Sequence, residues 1–206
     1  EEFQCRIVVE HDEEGYWQTD DCPVRIVSRA DRISELRYIH GLNRVDPDEG
    51  TEQPIDLRDH DQFGISRMHH GEGIYFEIDS DWLEKVTSER NRNLSRIQAK
   101  MIPSLQRLRP NIRFQIPSLN SEHAEECSNQ LTVIHTLSHL LIREISSNAG
   151  YSTGSISERL YLSNNQDGSV QQSGIFLYTS GPSSDGTLGG LVRQATSNQL
   201  EVIVRR

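Results

Sequence analysis

Apolar positions along this chain fall into two spacings. QCRIVV (4–9), PVRIVS (23–28) and GIYFEID (73–79) are short runs rich in β-branched and aromatic residues, and they read as strands. RLYLS (159–163) and GIFLYTS (174–180) read the same way, joined by the polar turn NNQDGSVQQ to form a C-terminal β-hairpin. Helical spacing predicts a short helix over ISELRYIHGL (33–42), capped by Asp31, and a longer one beginning WLEKV, capped by Asp79 or Ser80. The strongest helix runs from about Ser128 to Ala149, with Leu131, Ile134, Leu141, Ile142 and Ile145 as its apolar stripe and Gly150 as a left-handed stop.

Between these elements the pattern weakens. Asp46 to His60 is crowded with Asp, Glu, Gly and Pro and predicts a surface loop, so residues 46–62 are taken as an acidic loop. Pro103 and Pro110 break any helix through 93–110, and NIRFQIP follows as an extended piece. SSDGTLGGLVRQ (183–194) is a glycine-rich turn leading into a helix, and LEVIVRR (200–206) predicts a closing strand. Together these elements predict a mixed α+β fold, a mixed sheet packed with helices, with an N-terminal α/β portion over 1–115 and a second unit over 116–206. There is no internal repeat and no low-complexity segment.

Composition narrows the function. With 206 residues the chain can bury a core, yet only 34% are hydrophobic, and no run is long and apolar enough for a membrane span. The first residues do not resemble a signal peptide, and three scattered cysteines (Cys5, Cys22, Cys127) fit a reducing cytoplasm. A start on Glu1-Glu2-Phe3 and an end on Val204-Arg205-Arg206 suggest a piece of a longer protein. The net charge of −10 argues against a surface coated in cations for sequence-independent DNA binding. Charge is unevenly spread, however. Lys85, Arg90, Arg92, Arg96, Lys100, Arg107, Arg109 and Arg113 form a basic stretch that can follow a phosphate backbone, or can form a solvated face paired with the acidic first third.

Two stretches carry candidate chemistry. His135 and His139 stand four residues apart on the predicted long helix, the spacing by which two imidazoles grip one zinc ion. A zinc protease needs a glutamate beside the first histidine, and Thr136 stands there instead. No third and fourth ligands are evident nearby, so the pair is expected at the core boundary, bonded to backbone or to Arg143 and Glu144, with no metal. A hydrolase using His135 or His139 with Asp185 is a rival that requires those side chains to converge. The turn holding Asp185, Gly186, Thr187, Gly189 and Gly190, followed by Arg193, matches neither the Walker nor the dinucleotide pattern. Close packing against the sheet is its first reading, and contact with a phosphate at the helix start its second.

HTLSHLLIREISSNAGYSTGSISERLYLS followed by GIFLYTSGPSSDGTLGGLVR resembles the C-terminal zinc-binding domain of MrfA-type helicases. It resembles more closely the DrmB subunits of the bacterial DISARM anti-phage system. ISELRYIHGLNRV and HHGEGIYFEIDSDWLEKV look like the segments that precede that domain in DrmB. The resemblance implies a non-catalytic, cytoplasmic companion of a superfamily 2 DNA helicase of the DrmA kind, acting against phage DNA. The tail of a single-chain DNA-repair helicase is its alternative. The family's zinc-binding cysteine cluster lies beyond the Gly-Gly-Leu-Val-Arg motif, so no cofactor is expected in this chain.

Overall fold

The computed structural model describes residues 4–10, 22–39, 41–42, 53–54, 65–89, 124–165, 167–180, 189–195 and 203. Its main sheet is built from β1 (Gln4–Glu10), β2 (Val24–Ile39), β5 (Ile65–Ile78), β6 (Ser157–Asn164) and β7 (Val170–Ser180), in the order β1-β2-β5-β7-β6. A small second ladder joins β3 (Gly41–Leu42) to β4 (Gln53–Pro54), the described part of the acidic stretch 46–62. Among the described residues there are three α-helices, α1 (Ser80–Glu89), α2 (Ala124–Ala149) and the single turn α3 (Gly190–Arg193), and a 3-10 turn over Thr153–Ser155. The class is the mixed α+β expected, and every described ladder is antiparallel.

Period-two alternation divides the sheet into two faces. Ile74, Phe76 and Ile78 of β5, Ile175 and Leu177 of β7, and Leu160 and Leu162 of β6 point to one side and are buried beneath the helices. On α2, Cys127, Leu131, Ile134, Ser138, Leu141 and Ile145 recur at alternating steps of four and three, and all are buried. Leu83 of α1, Leu191 of α3 and Ile203 close the same core. Strand β7 lies between β5 and its hairpin partner β6, so residues from both halves of the chain share one apolar layer.

Local chemistry sets the helix ends. The Asp79 carboxylate accepts the Trp82 backbone N–H at 2.8 Å, capping α1, and the Asp79 N–H donates to the Pro23 carbonyl at 2.9 Å. One residue thus starts the helix and ties it to the entry of β2. Gly150 ends α2 at φ +73°, its N–H bonded to the Ser146 carbonyl.

Two expected elements differ. Of the helix expected over 33–42, residues 33–39 instead belong to β2, where they pair in register with 65–71 of β5, and 41–42 form β3. Backbone pairing along a neighbouring strand outweighs a weak local preference for helix. In the expected closing strand 200–206, Ile203 is described and is helical and buried, its side chain completing the core.

Removing the α1 cap by Asp79→Ala should lower stability by about 1 kcal/mol, while Asp79→Asn should retain most of it. Urea denaturation reads this as a shifted midpoint at constant slope. Equal midpoints for wild type and Asp79→Ala would show that the cap contributes nothing.

Candidate functional site

Helix α2 presents His135 and His139 on the flank of its buried stripe, facing β6 rather than solvent alone. Their Nε2 atoms lie 2.9 Å apart, and the Glu158 carboxylate of β6 approaches to 3.0 Å from His135 and 3.8 Å from His139. The hydrogen bond to Glu158 lifts the His135 imidazole above its ordinary pKa, against the opposing effect of burial. The partner anticipated among the helix neighbours is therefore wrong, since Arg143 lies 3.9 Å from Glu144 and the histidines turn to Glu158. The premise that no third ligand is near also falls. Glu158 is distant from the pair in sequence, and only the packing of β6 under α2 brings it there. The second oxygen of Glu158 is buried without a hydrogen-bond partner among the described residues.

Of the glycine-rich turn, the described residues begin at Gly189. Gly189 holds φ +111°, with open space where a side chain would begin. Gly190 is glycine for another reason, since a Cβ there would stand 2.5 Å from the Tyr151 hydroxyl oxygen. Two of the N–H groups at the start of α3 are already satisfied from within. The Glu72 carboxylate of β5, only 1% exposed, accepts the Gly189 N–H at 2.5 Å and the Leu191 N–H at 2.6 Å. Tyr151 donates its hydroxyl to the same carboxylate at 3.4 Å. Burial first, then the Glu72 charge, holds the Tyr151 phenol above its ordinary pKa. A helix start that favours anions has thus received a side-chain anion of its own chain, which leaves these two donors no phosphate to bind.

The opposite face of the sheet carries a cleft of about 720 Å³ that the sequence reading missed. Tyr75, Tyr161, Phe176 and Tyr178 line it with Arg159. Phe176 and Tyr178 stack with centroids 5.4 Å apart and planes 11° apart, while Tyr75 meets Tyr161 edge-on at 5.9 Å. Arg159 sits 5.6 Å from the Tyr178 centroid. Glycine on the neighbouring strand makes room for two of these rings. A Cβ on Gly73 would meet the Phe176 ring at 2.5 Å, and one on Gly174 would collide with the Tyr75 phenol. The cleft's acids are paired, Glu35 with Arg37 at 3.0 Å and Arg159 at 3.5 Å, and Glu77 with Arg25 at 3.8 Å. Its signal in the sequence was aromatic residues at alternate strand positions, with glycines at outward positions on the strands beside them.

Arg90, Arg92, Arg96, Lys100, Arg107 and Arg109 lie outside the described residues, as do Asp185, Gly186 and Thr187. Arg143 is exposed on α2, and Arg193 is exposed in the last turn of α3. The structure therefore brings His135 and His139 together with Glu158, and sets Gly189 and Gly190 against Glu72 and Tyr151.

No family model matches the chain. A curated relative, the DISARM protein DrmB of Bacillus paralicheniformis, is 28% identical over 192 residues, covering 87% of this chain. The chain spans about 30% of that relative's length. The match gives no support to the likeness with MrfA-type helicases.

The buried carboxylate makes a firm prediction. Glu72→Ala leaves the buried Leu191 N–H and the half-buried Gly189 N–H without their acceptor and should cost roughly 2–5 kcal/mol, with Glu72→Gln intermediate. Gly189→Val should lose about 1–3 kcal/mol to backbone strain, and should do so with no nucleic acid present. Thermal and urea unfolding of the three variants measures both effects. Wild-type stability in Glu72→Ala would mean that this carboxylate does not hold the turn.

Proposed function

We propose that this chain is a DrmB-like, non-catalytic component of a DISARM-type anti-phage system, supporting a helicase partner of the DrmA kind on DNA. The observation that carries the reading is the 28% identity to a DISARM protein DrmB across most of the chain. The sheet-face cleft fits the same reading. Aromatic rings laid on a sheet stack bases of a single strand without regard to sequence, and arginine beside them faces the backbone. Among the residues that line the cleft, Arg159 stands beside the rings, and the acids Glu35 and Glu77 are each held in an ion pair with arginine. No helix among the described residues is long and apolar enough to cross a membrane.

The accessory role is read from the chemistry present. These 206 residues carry no Walker lysine pattern, and in this proposal the motor and its ATP are assigned to the partner. The cleft would hold an unwound strand while the partner translocates.

Two measurements test this. Inactivating the gene in its own host should raise phage plating efficiency, and the protein should co-purify with a helicase encoded beside it. Unchanged plating together with no helicase partner would sink the assignment. Within the cleft, Tyr161→Ala should weaken binding of a fluorescent oligothymidine by about 5- to 150-fold, the worth of one stacked base. Equal affinity in wild type and variant would remove the cleft from the DNA-binding surface.

A further inference from the structure

His135, His139 and Glu158 form the one group of three metal-ligating side chains found among the described residues with ligand atoms converging within 4.8 Å. The three edges of that triangle are 2.9, 3.0 and 3.8 Å. A tetrahedral zinc ion with bonds of about 2.0–2.1 Å separates its ligand atoms by about 3.3 Å, and the observed edges bracket that value. A proton serves this arrangement only when shared, with the His135 Nε2–H pointing between Glu158 and His139. Each Nε2 carries either a hydrogen or a lone pair. If His135 donates to Glu158, it has no lone pair left for His139. If it accepts from His139 instead, its lone pair faces the carboxylate. A cation at the centre satisfies all three atoms at once.

We propose that His135, His139 and Glu158 bind one zinc ion, which clasps helix α2 to strand β6. Two further observations support the site. The remaining Glu158 oxygen is buried without a partner among the described residues, so the carboxylate can also chelate through both oxygens. The His139 side chain is 63% exposed, which gives the ion a route in and leaves its fourth position to water. Two imidazoles and one carboxylate suit a borderline ion such as zinc, whereas calcium and magnesium take six or more oxygens. The role assigned to the ion is to clasp the two elements. The residue next to His135 is Thr136, whose hydroxyl donates to the Thr132 carbonyl at 2.7 Å and supplies no general base. The proposal rests on nothing in the anti-phage reading and stands or falls separately.

The test uses the purified protein, stripped with chelator and titrated with zinc or cobalt(II). One zinc per chain should bind and raise the melting temperature. Cobalt should give the visible bands of a tetrahedral site, without the near-ultraviolet charge transfer that thiolate ligation produces. His139→Ala, at an exposed position, should keep the metal-free melting temperature. Glu158→Gln should keep the side chain's shape. Both should weaken zinc binding by more than the roughly 10–100-fold that outer-shell partners cost. No stoichiometric zinc in wild type would overturn the site, as would zinc that binds both variants equally well. If His139→Ala fails to fold, Glu158→Gln and the cobalt spectrum decide the matter alone.

Discussion

A single buried carboxylate organises the end of this fold. Glu72 leaves β5 on the helix-covered face, where its neighbours are Ile74 and Phe76, and a bare charge there would be strongly unfavourable. The N–H groups of Gly189 and Leu191 and the Tyr151 hydroxyl make the position tolerable. The requirement is mutual. A one-turn helix has too few internal bonds to persist alone, and α3 holds its place because its first donors close on Glu72. Tyr151, just past the end of α2, is drawn to the same point, so the sheet, the long helix and the glycine turn meet at one charge.

The two faces of the sheet follow different rules. Beneath the helices, branched aliphatic residues fill the space and α2 contributes an unbroken stripe. On the other face, rings lie across glycines of the adjacent strand, and arginine–glutamate pairs surround them. Rings supported in this way are held by the backbone below them. The same strands thus build a dry interior and a cleft whose aromatic walls are fixed before anything enters.

Much of the fold was legible because its strongest elements obey simple periods. The α2 stripe, the Gly150 stop, the Asp79 cap and the β6–β7 hairpin all follow from residues a few positions apart. What escaped depends on residues far apart in the chain. Residues 33–39 are strand because 65–71 lie beside them, and nothing within the segment says so. The histidine pair could be found from its spacing, but Glu158 could not, since it meets the pair only through the packing of β6 under α2. The glycine turn reads as close packing first and phosphate contact second, whereas the Gly189 and Leu191 N–H groups close on Glu72, which no local pattern marks.

The order of the strands has a consequence for how the chain comes off the ribosome. β5 pairs with β7, as in Glu77 with Gly174, and a long run of sequence separates the two. Until β7 emerges, β5 offers its row of unpaired amide groups to whatever strand is near, and such an edge invites pairing between molecules. Contacts of this range also slow the search for the native topology. A nascent chain of this protein therefore passes through a stage at which its central strand is made but its neighbour is not. Synthesis alongside a partner, or cover by a chaperone, has its greatest effect during that interval.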